Sequence, residues 1–306
     1  MNNNYQPGLT IAIPTFNRPE KIRRQVLSIL PYLSADVKLV VLDNYSDVEV
    51  STLFDKSIIG KVTFIRNSFN IGADANIAKC FDTCQTKWLW TLSDDDIITE
   101  DALRIILHDI RLFRDCLFIN YNKSQSQQIV GIHNFVLKKV SSYSDLFWMS
   151  ICLYNVELLS PYMHHYFRAL STMQPGVYLI TRALLENANN KIILSQQKII
   201  EDGGKGIGWS RYSFFYSSLF LYDLLKDYRK ILNNTLFRYI YNMCCTDILQ
   251  IFDRERKLVN AIDLHILLMR RRGLYRSVFV ELRQNLSFYA HLFYFKIFDK
   301  RINTNI

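Results

Sequence analysis

Three consecutive carboxylates, Asp94, Asp95 and Asp96, stand directly after the apolar run Trp88 to Leu92. Adjacent like charges repel, and in a loop they cost stability unless a cation neutralises them. Hard divalent ions such as magnesium or manganese take carboxylate oxygens and keep open positions for phosphate. The triplet therefore points to metal-assisted chemistry on a phosphate-bearing molecule. The bland alternative is an acidic turn that caps a helix at Thr99. Its place at the end of an apolar strand favours the metal.

The surrounding pattern decides whether such a loop can belong to a site. The first 120 residues alternate short apolar runs with helical periodicity, which implies an α/β fold with a mostly parallel sheet flanked by helices. Expected strands are Leu9 to Ile13, Lys38 to Leu42, Val62 to Ile65, Trp88 to Leu92 and Cys116 to Tyr121. Between them fall helices from Pro19 to about Leu30, with Ile22, Val26, Leu27 and Leu30 on one face, from Ile71 to Cys84, and from Thr99 to about Phe113. In open parallel sheets, ligands bind at the carboxyl ends of the strands. Here those ends carry Pro14, Thr15, Phe16, Asn17 and Arg18, then Asp43 and Asn44, then Arg66 and Asn67, then the Asp triplet. Four such ends in one sheet would assemble one polar site.

Past residue 121 the pattern predicts a hairpin strand at Ile129 to Leu137, a helix begun by Ser142, a helix near Val177 to Asn187, and short strands at Lys191 to Leu194 and Lys198 to Ile200. Glycines 203, 204, 206 and 208 mark a soft boundary between a domain of residues 1–204 and a helical, aromatic-rich region of residues 205–306. Charge divides in the same way. Of the net +9, residues 1–204 contribute nothing, with 20 Lys and Arg against 20 Asp and Glu, while residues 205–306 carry 17 against 8. Basic residues interleaved with aromatics, Arg270, Arg271, Arg272 and Arg276 among them, suit an anionic membrane surface. A helical subdomain with a solvated basic face explains them equally well. No nucleic-acid motif appears, and no nucleic-acid partner is expected.

At 306 residues and 49% hydrophobic, the chain can bury a large core. The amino-terminal stretch lacks the basic and apolar regions of a signal peptide, and the apolar runs fall short of the roughly 20 residues of a spanning helix. A cytoplasmic location is expected, with peripheral attachment to the inner face of the cell membrane as its refinement. The six cysteines show no zinc-like spacing and are expected as reduced core thiols.

The segments IAIPTFNRP, VVLDNYS, RNSFNIGADANI and WTLSDDD, in that order, resemble the family 2 glycosyltransferases of the GT-A fold over about residues 9–110. STMQPG and its following helix resemble more weakly a subset of O-antigen and capsule transferases, abequosyltransferase-like enzymes among them. The resemblance implies a GT-A (Rossmann-like) domain and inverting, metal-dependent transfer of a hexosyl or deoxyhexosyl group from a nucleotide-sugar donor. It also implies a lipid-linked saccharide acceptor in bacterial surface polysaccharide synthesis. Pro14, Thr15, Asn17, Arg18 and Asp43 would hold the nucleoside, with Asp43 accepting hydrogen bonds from base or ribose. Arg66, Asn67 and Gly72 would line the donor pocket, with Asp74 and Asn76 as weaker members. Asp95 and Asp96 would hold Mn2+ or Mg2+ and Asp94 would support the diphosphate, although Ser93 stands where many members carry the first Asp. Where many members carry a Glu-Asp pair as general base, this chain has Gln174, Pro175 and Gly176. Asp202 is the favoured replacement, ahead of Glu201, Glu157, His164 and His165. The alternative is a non-catalytic GT-A-like donor-binding or assembly protein that kept the fold and lost its base.

Overall fold

The computed structural model describes residues 5–137, 146, 148–201, 217, 220–221, 223–228, 230–232 and 290. The chain divides into two compact units, Met1–Gly206 with Asp227–Asn233, and Ile207–Lys226 with Asn234–Ile306. Asp202, the arginine cluster 270–276, Cys244, Cys245 and the helix expected to begin at Ser142 lie outside the described residues. Most of the helical region expected over residues 205–306 lies outside them too.

The first unit is built on one mixed sheet. Its strands are β1 (Gln6–Thr15), β2 (Val37–Asp43), β3 (Thr63–Arg66), β4 (Thr86–Thr91), β5 (Phe118–Asn120), β6 (Gln127–Val130), β7 (Cys152–Asn155) and β8 (Lys191–Leu194). They run in the order β3-β2-β1-β4-β7-β5-β8-β6. β3, β2, β1 and β4 are mutually parallel, as alternating strand and helix patterns require. Strand β1 lies between two neighbours with Leu9, Ile11, Ala12 and Ile13 fully buried, so its sequence is apolar without alternation.

The other half departs from the expected pattern. β7, which periodicity did not reveal, inserts between β4 and β5 and runs antiparallel to both. Four residues with Asn120 and Ser150 nearby are too short and too mixed to stand out in sequence. The expected strand at 129–137 is corrected to β6 followed by a helix, α5 (Gly131–Leu137). Gly131, at φ +68°, makes the break, and an added Cβ there would lie 2.7 Å from the Ala188 carbonyl oxygen. The expected strand at 198–200 reduces to a single bridge between Ile98 and Ile200.

The larger helices are α1 (Pro19–Ile29), α3 (Ala73–Asp82), α4 (Ala102–Leu112) and α8 (Pro175–Glu186), with short α2 (Lys56–Ile59), α6 (Val156–Leu159) and α7 (Met163–Arg168) between them. α1 buries Ile22, Val26 and Ile29, whereas Leu27 is 45% exposed, so its inner face is rotated from the expected one. α4 begins at Ala102 with Asp101 as its N-cap, three residues after the expected start at Thr99. Cys80, Cys84, Cys116 and Cys152 are free and buried, and burial pushes the Cys116 thiol up to about 11. The reduced core thiols expected from their spacing are what these four are.

Gly8 sits where β1 shifts register against β4, at φ +125°. An added Cβ would lie 2.3 Å from the Asp36 carbonyl oxygen, which already accepts from Leu9 N at 2.8 Å. Gly8→Ala is therefore expected to destabilise the first unit by about 2–3 kcal/mol, from backbone strain and the clash together. Urea denaturation measures this; an unchanged midpoint would show that the bulge relaxes freely.

Candidate functional site

Register brings the strand ends together. Thr15 pairs with Asp43 across β1 and β2, and Asp43 with Arg66 across β2 and β3, so the three last residues lie in one row. Ala12 pairs with Thr91 across β1 and β4, which puts Asp94, three residues on, level with Thr15. The hydrogen bonds agree: Thr15 Oγ1 donates to Asp94 Oδ2 at 2.6 Å.

The acidic loop is met by a basic row. Arg18 donates to Asp94 Oδ1 at 2.8 Å and to Asp95 Oδ2 at 3.2 Å. Lys21 donates to Asp95 Oδ2 at 3.1 Å, and Arg24 to the Asp95 carbonyl oxygen at 3.1 Å. Ser93 completes the ring by donating to Asp95 Oδ1 at 2.6 Å. Asp96 turns the other way and accepts from Trp148 Nε1 at 2.9 Å. Behind the loop, Ser93 N donates to Ser150 Oγ and Trp90 Nε1 to the Ser150 carbonyl, so residues 148–151 brace it.

Charge is thus balanced within the chain. Three cations cluster at the amino-terminal end of α1, where the helix dipole disfavours them. Burial opposes the charge on Arg18, but the hydrogen bond and attraction of Asp94, with the attraction of Asp95, outweigh it and raise its pKa. Burial likewise opposes ionisation of Asp95, and the hydrogen bonds from Ser93 and Lys21 with the charges of Arg18 and Lys21 hold its carboxyl below the ordinary range. The neutralising role that the bare sequence gives to a metal is filled in this structure by Arg18 and Lys21.

The carboxylate oxygens of this loop are of the type that a hard divalent ion takes. Among the described residues no three His, Cys, Asp or Glu groups converge, so they offer no all-protein cage. Asp95 and Asp96 are adjacent and partly exposed, and each carboxylate has acceptor sites beyond the bonds described. Two such hard-oxygen ligands, completed by substrate phosphate oxygens and water, are what magnesium takes in phosphate chemistry.

The nucleoside side of the row is organised by Asp43. Its carboxylate is 3% exposed and accepts from Ser46 N at 2.8 Å, Val50 N at 3.3 Å and Arg66 Nη1 at 2.6 Å. The hydrogen bonds expected from base or ribose are thus made here by three protein donors. Arg66 also donates to the Ser46 carbonyl and lies 4.8 Å from the centre of the Tyr45 ring, which is 49% exposed. Asn17, at φ +53°, ties the first loop to the second through Ser46 and Asp47. Asn67 is buried in an amide chain with Asn44 and Asn76 and accepts from Lys79 at 2.7 Å. Gly72 adopts φ +85° with open space where a Cβ would be, so the backbone angle requires glycine there. Pro14 pairs with Leu42 inside the sheet and positions this loop from below.

Of the expected bases, Glu157 pairs with Lys87 at 2.8 Å and follows Asn155, which opposes Trp88 near the start of β4. That is the sheet edge away from the triplet. His165 bonds Glu186 at the last residue of α8, some 16 Å along the helix from Pro175. The His164 ring lies tilted against that of His165, 3.8 Å between centroids. All three are engaged by other side chains of the fold, and none joins the row of residues around Asp94 and Asp95. Glu201 is exposed, and its N–H donates to the Ile97 carbonyl at 2.8 Å, one residue past the triplet.

Lys21, Arg24, Tyr45, Trp148 and Ser150 belong to this constellation without having been singled out from sequence. Arg18, Lys21 and Arg24 stand three apart, so a basic stripe on the first turns of a helix was the readable signal. Trp148 and Ser150 carry no such signal, because a fold contact 52 or 57 residues away brings them in.

The likeness drawn from the four motifs holds in comparison with known proteins. Residues 10–129 match the family described as Glycosyl transferase family 2. Abequosyltransferase RfbV of Salmonella typhimurium is 25% identical over 103 residues, 32% of this chain and 31% of that protein, so the match spans about a third of the relative. Among solved structures, S. aureus TarS 1-349 in complex with UDP-GlcNAc superposes with a TM-score of 0.54 at 14% identity, covering 88% of this chain and 93% of that one. The mannosyltransferase PcManGT from Pyrobaculum calidifontis, in complex with GDP-Man and Mn2+, gives 0.51 at 12% identity, covering 95% and 86%. At these identities the structural likeness is one of fold, and that fold is GT-A.

Proposed function

We propose, from the family match over residues 10–129, that this chain is an inverting glycosyltransferase moving a sugar from a nucleotide-diphosphate donor to an acceptor hydroxyl. The observation that carries this is the mixed-charge row at the strand ends, in which Thr15, Arg18 and Lys21 gather around Asp94 and Asp95. Arg18 and Lys21, at 37% and 47% side-chain exposure, are accessible to donor phosphate oxygens. The Tyr45 ring and Arg66 would receive the nucleoside, with Asp43 fixing both from beneath.

Magnesium or manganese held by Asp95 and Asp96 would supply Lewis-acid neutralisation of the diphosphate. Inversion follows if the acceptor oxygen attacks the anomeric carbon opposite the departing diphosphate in one step. The abequosyltransferase among the relatives and the resemblance to surface-polysaccharide transferases support a substrate of that kind, and the basic excess of residues 205–306 supports a lipid-linked acceptor at an anionic membrane. Among the described residues no helix is long and apolar enough to cross a membrane.

A panel of UDP-, GDP-, CDP- and dTDP-sugars with manganese tests this. One of them is expected to raise the melting temperature by several degrees and to be cleaved slowly to nucleoside diphosphate. Stabilisation without any cleavage favours the non-catalytic donor-binding protein, which the lack of a carboxylate at 174–176 supports. No stabilisation by any donor refutes both.

A further inference from the structure

A transfer of this kind needs a group that takes the acceptor proton, and the first turn of α8, Gln174 to Gly176, carries no carboxylate. Across from that turn lies a cavity of about 90 Å³. It is lined by Thr91 at the end of β4, Tyr154, Tyr166, Gln174, Gly176 and, from the first turn of α3, Asp74. Thr91 Oγ1 donates to the carbonyl of Met149, which also lines the cavity, and the residues on either side of Met149, Trp148 and Ser150, hold Asp96 and Ser93 of the acidic loop. An added Cβ at Gly176 would lie 2.6 Å from the Tyr154 hydroxyl, so that ring would have to shift to admit a side chain.

We propose that Asp74 is the general base, taking the proton of the acceptor hydroxyl through this cavity. The inference rests on the transferase reading above. Asp74 is partly buried, and among the described residues no Lys, Arg or His lines the cavity. The titratable groups that face it are neutral: Tyr154 on β7 and Tyr166 on α7 are buried phenols whose ionisation burial strongly opposes. Cys80, on the same helix, is a buried thiol held protonated in the same way. Burial accordingly raises the Asp74 carboxyl above its ordinary value, against the helix amino terminus that favours its charge. A carboxylate tuned upward, with no cation among the described residues lining its cavity, is a better proton acceptor than one locked in an ion pair. Asp94 and Asp95 are each held by Arg18, which suits anion and metal handling.

The step balances as a single displacement. The acceptor oxygen gives its proton to Asp74 and forms the new bond to the anomeric carbon. The bond from that carbon to the diphosphate oxygen breaks, and the diphosphate leaves with the electron pair. Asp74 returns its proton to solvent afterwards.

The test uses the full chain, the nucleotide-sugar that stabilises it best, and water as acceptor, read as nucleoside diphosphate release. Asp74→Asn is isosteric and is expected to keep the melting temperature and bind the donor within about twofold, while kcat falls about 100-fold or more. The acidic limb of the kcat/KM profile, placed above the usual carboxylate range in the unsubstituted protein, should vanish in the variant. Asp74→Glu should restore part of the rate with the limb. Asp74→Asn turning over at the original rate with the limb unchanged overturns the assignment, as does Asp202→Asn removing the limb while Asp74→Asn does not. Failure of the unsubstituted protein to bind or cleave any donor refutes the transferase reading instead, and is told apart by the binding measurement.

Discussion

Asp95→Ala is expected to lower sugar transfer about a thousandfold while the protein keeps its fold. The side chain is 31% exposed and fills no core space, so its removal leaves no cavity. It is nevertheless the point where Ser93, Arg18 and Lys21 converge. Losing it releases both cations from their set positions and takes away one of two ligands proposed for the divalent ion. Loss of one preorganised electrostatic partner in an active site costs on the order of 10² to 10³ in rate, and loss of metal handling adds to this. Chelator treatment of the unsubstituted protein should mimic the variant. Steady-state rates with and without chelator, beside a thermal melt, check both; full activity in chelator or in Asp95→Ala would remove the metal and the residue from the mechanism.

The pH behaviour of Asp95 separates it from Asp74. Because its folded-state carboxyl titrates below the ordinary range, its contribution to stability is present above the unfolded carboxylate value of about 3.9 and is lost only as pH falls through the lower folded value. An acidic limb in activity well above pH 4 therefore does not come from Asp95.

Asp43→Ala is expected to act on binding and stability together. The substitution strands two backbone N–H groups and the Arg66 guanidinium, whose side chain is 28% exposed. Removing one partner of a fully buried pair costs about 3–5 kcal/mol, and access of Arg66 to water reduces this to about 2 kcal/mol. The melting temperature should drop by about 4–8 °C for a unit of this size. With Arg66 and the Tyr45 loop released, the Michaelis constant for the donor should rise about a hundredfold with turnover little changed, because nucleoside contacts are made equally in ground and transition states. An unchanged Michaelis constant would take Asp43, Arg66 and Tyr45 out of the donor site.

How much of this was legible in sequence varies by element. β1 to β4 and their polar ends could be read to within three residues, because a strand buried on both faces shows as an unbroken apolar run and a site at its end shows as an abrupt polar stop. β7 could not be read. It is held by its partners in register, Trp88 to Asn155 and Phe118 to Tyr154, and owes little to any periodicity of its own. The same holds for the split of 129–137 into strand and helix, where a single positive φ at Gly131 outweighs the apolar run around it.

The sequence by itself determined the four strand ends, the acidic triplet and the family likeness, since each depends on residues close together in the chain. Only the tertiary structure decided what those residues do to one another. It paired Arg18 and Lys21 with Asp94 and Asp95 across 74 to 77 positions of chain, buried Asp43 under Arg66, and sent His165 to Glu186. It also set Asp74 beside the bare first turn of α8, about a hundred residues distant in sequence. Electrostatic partnership falls off over a few ångströms and depends on burial, and neither distance nor burial between remote segments is encoded in local spacing.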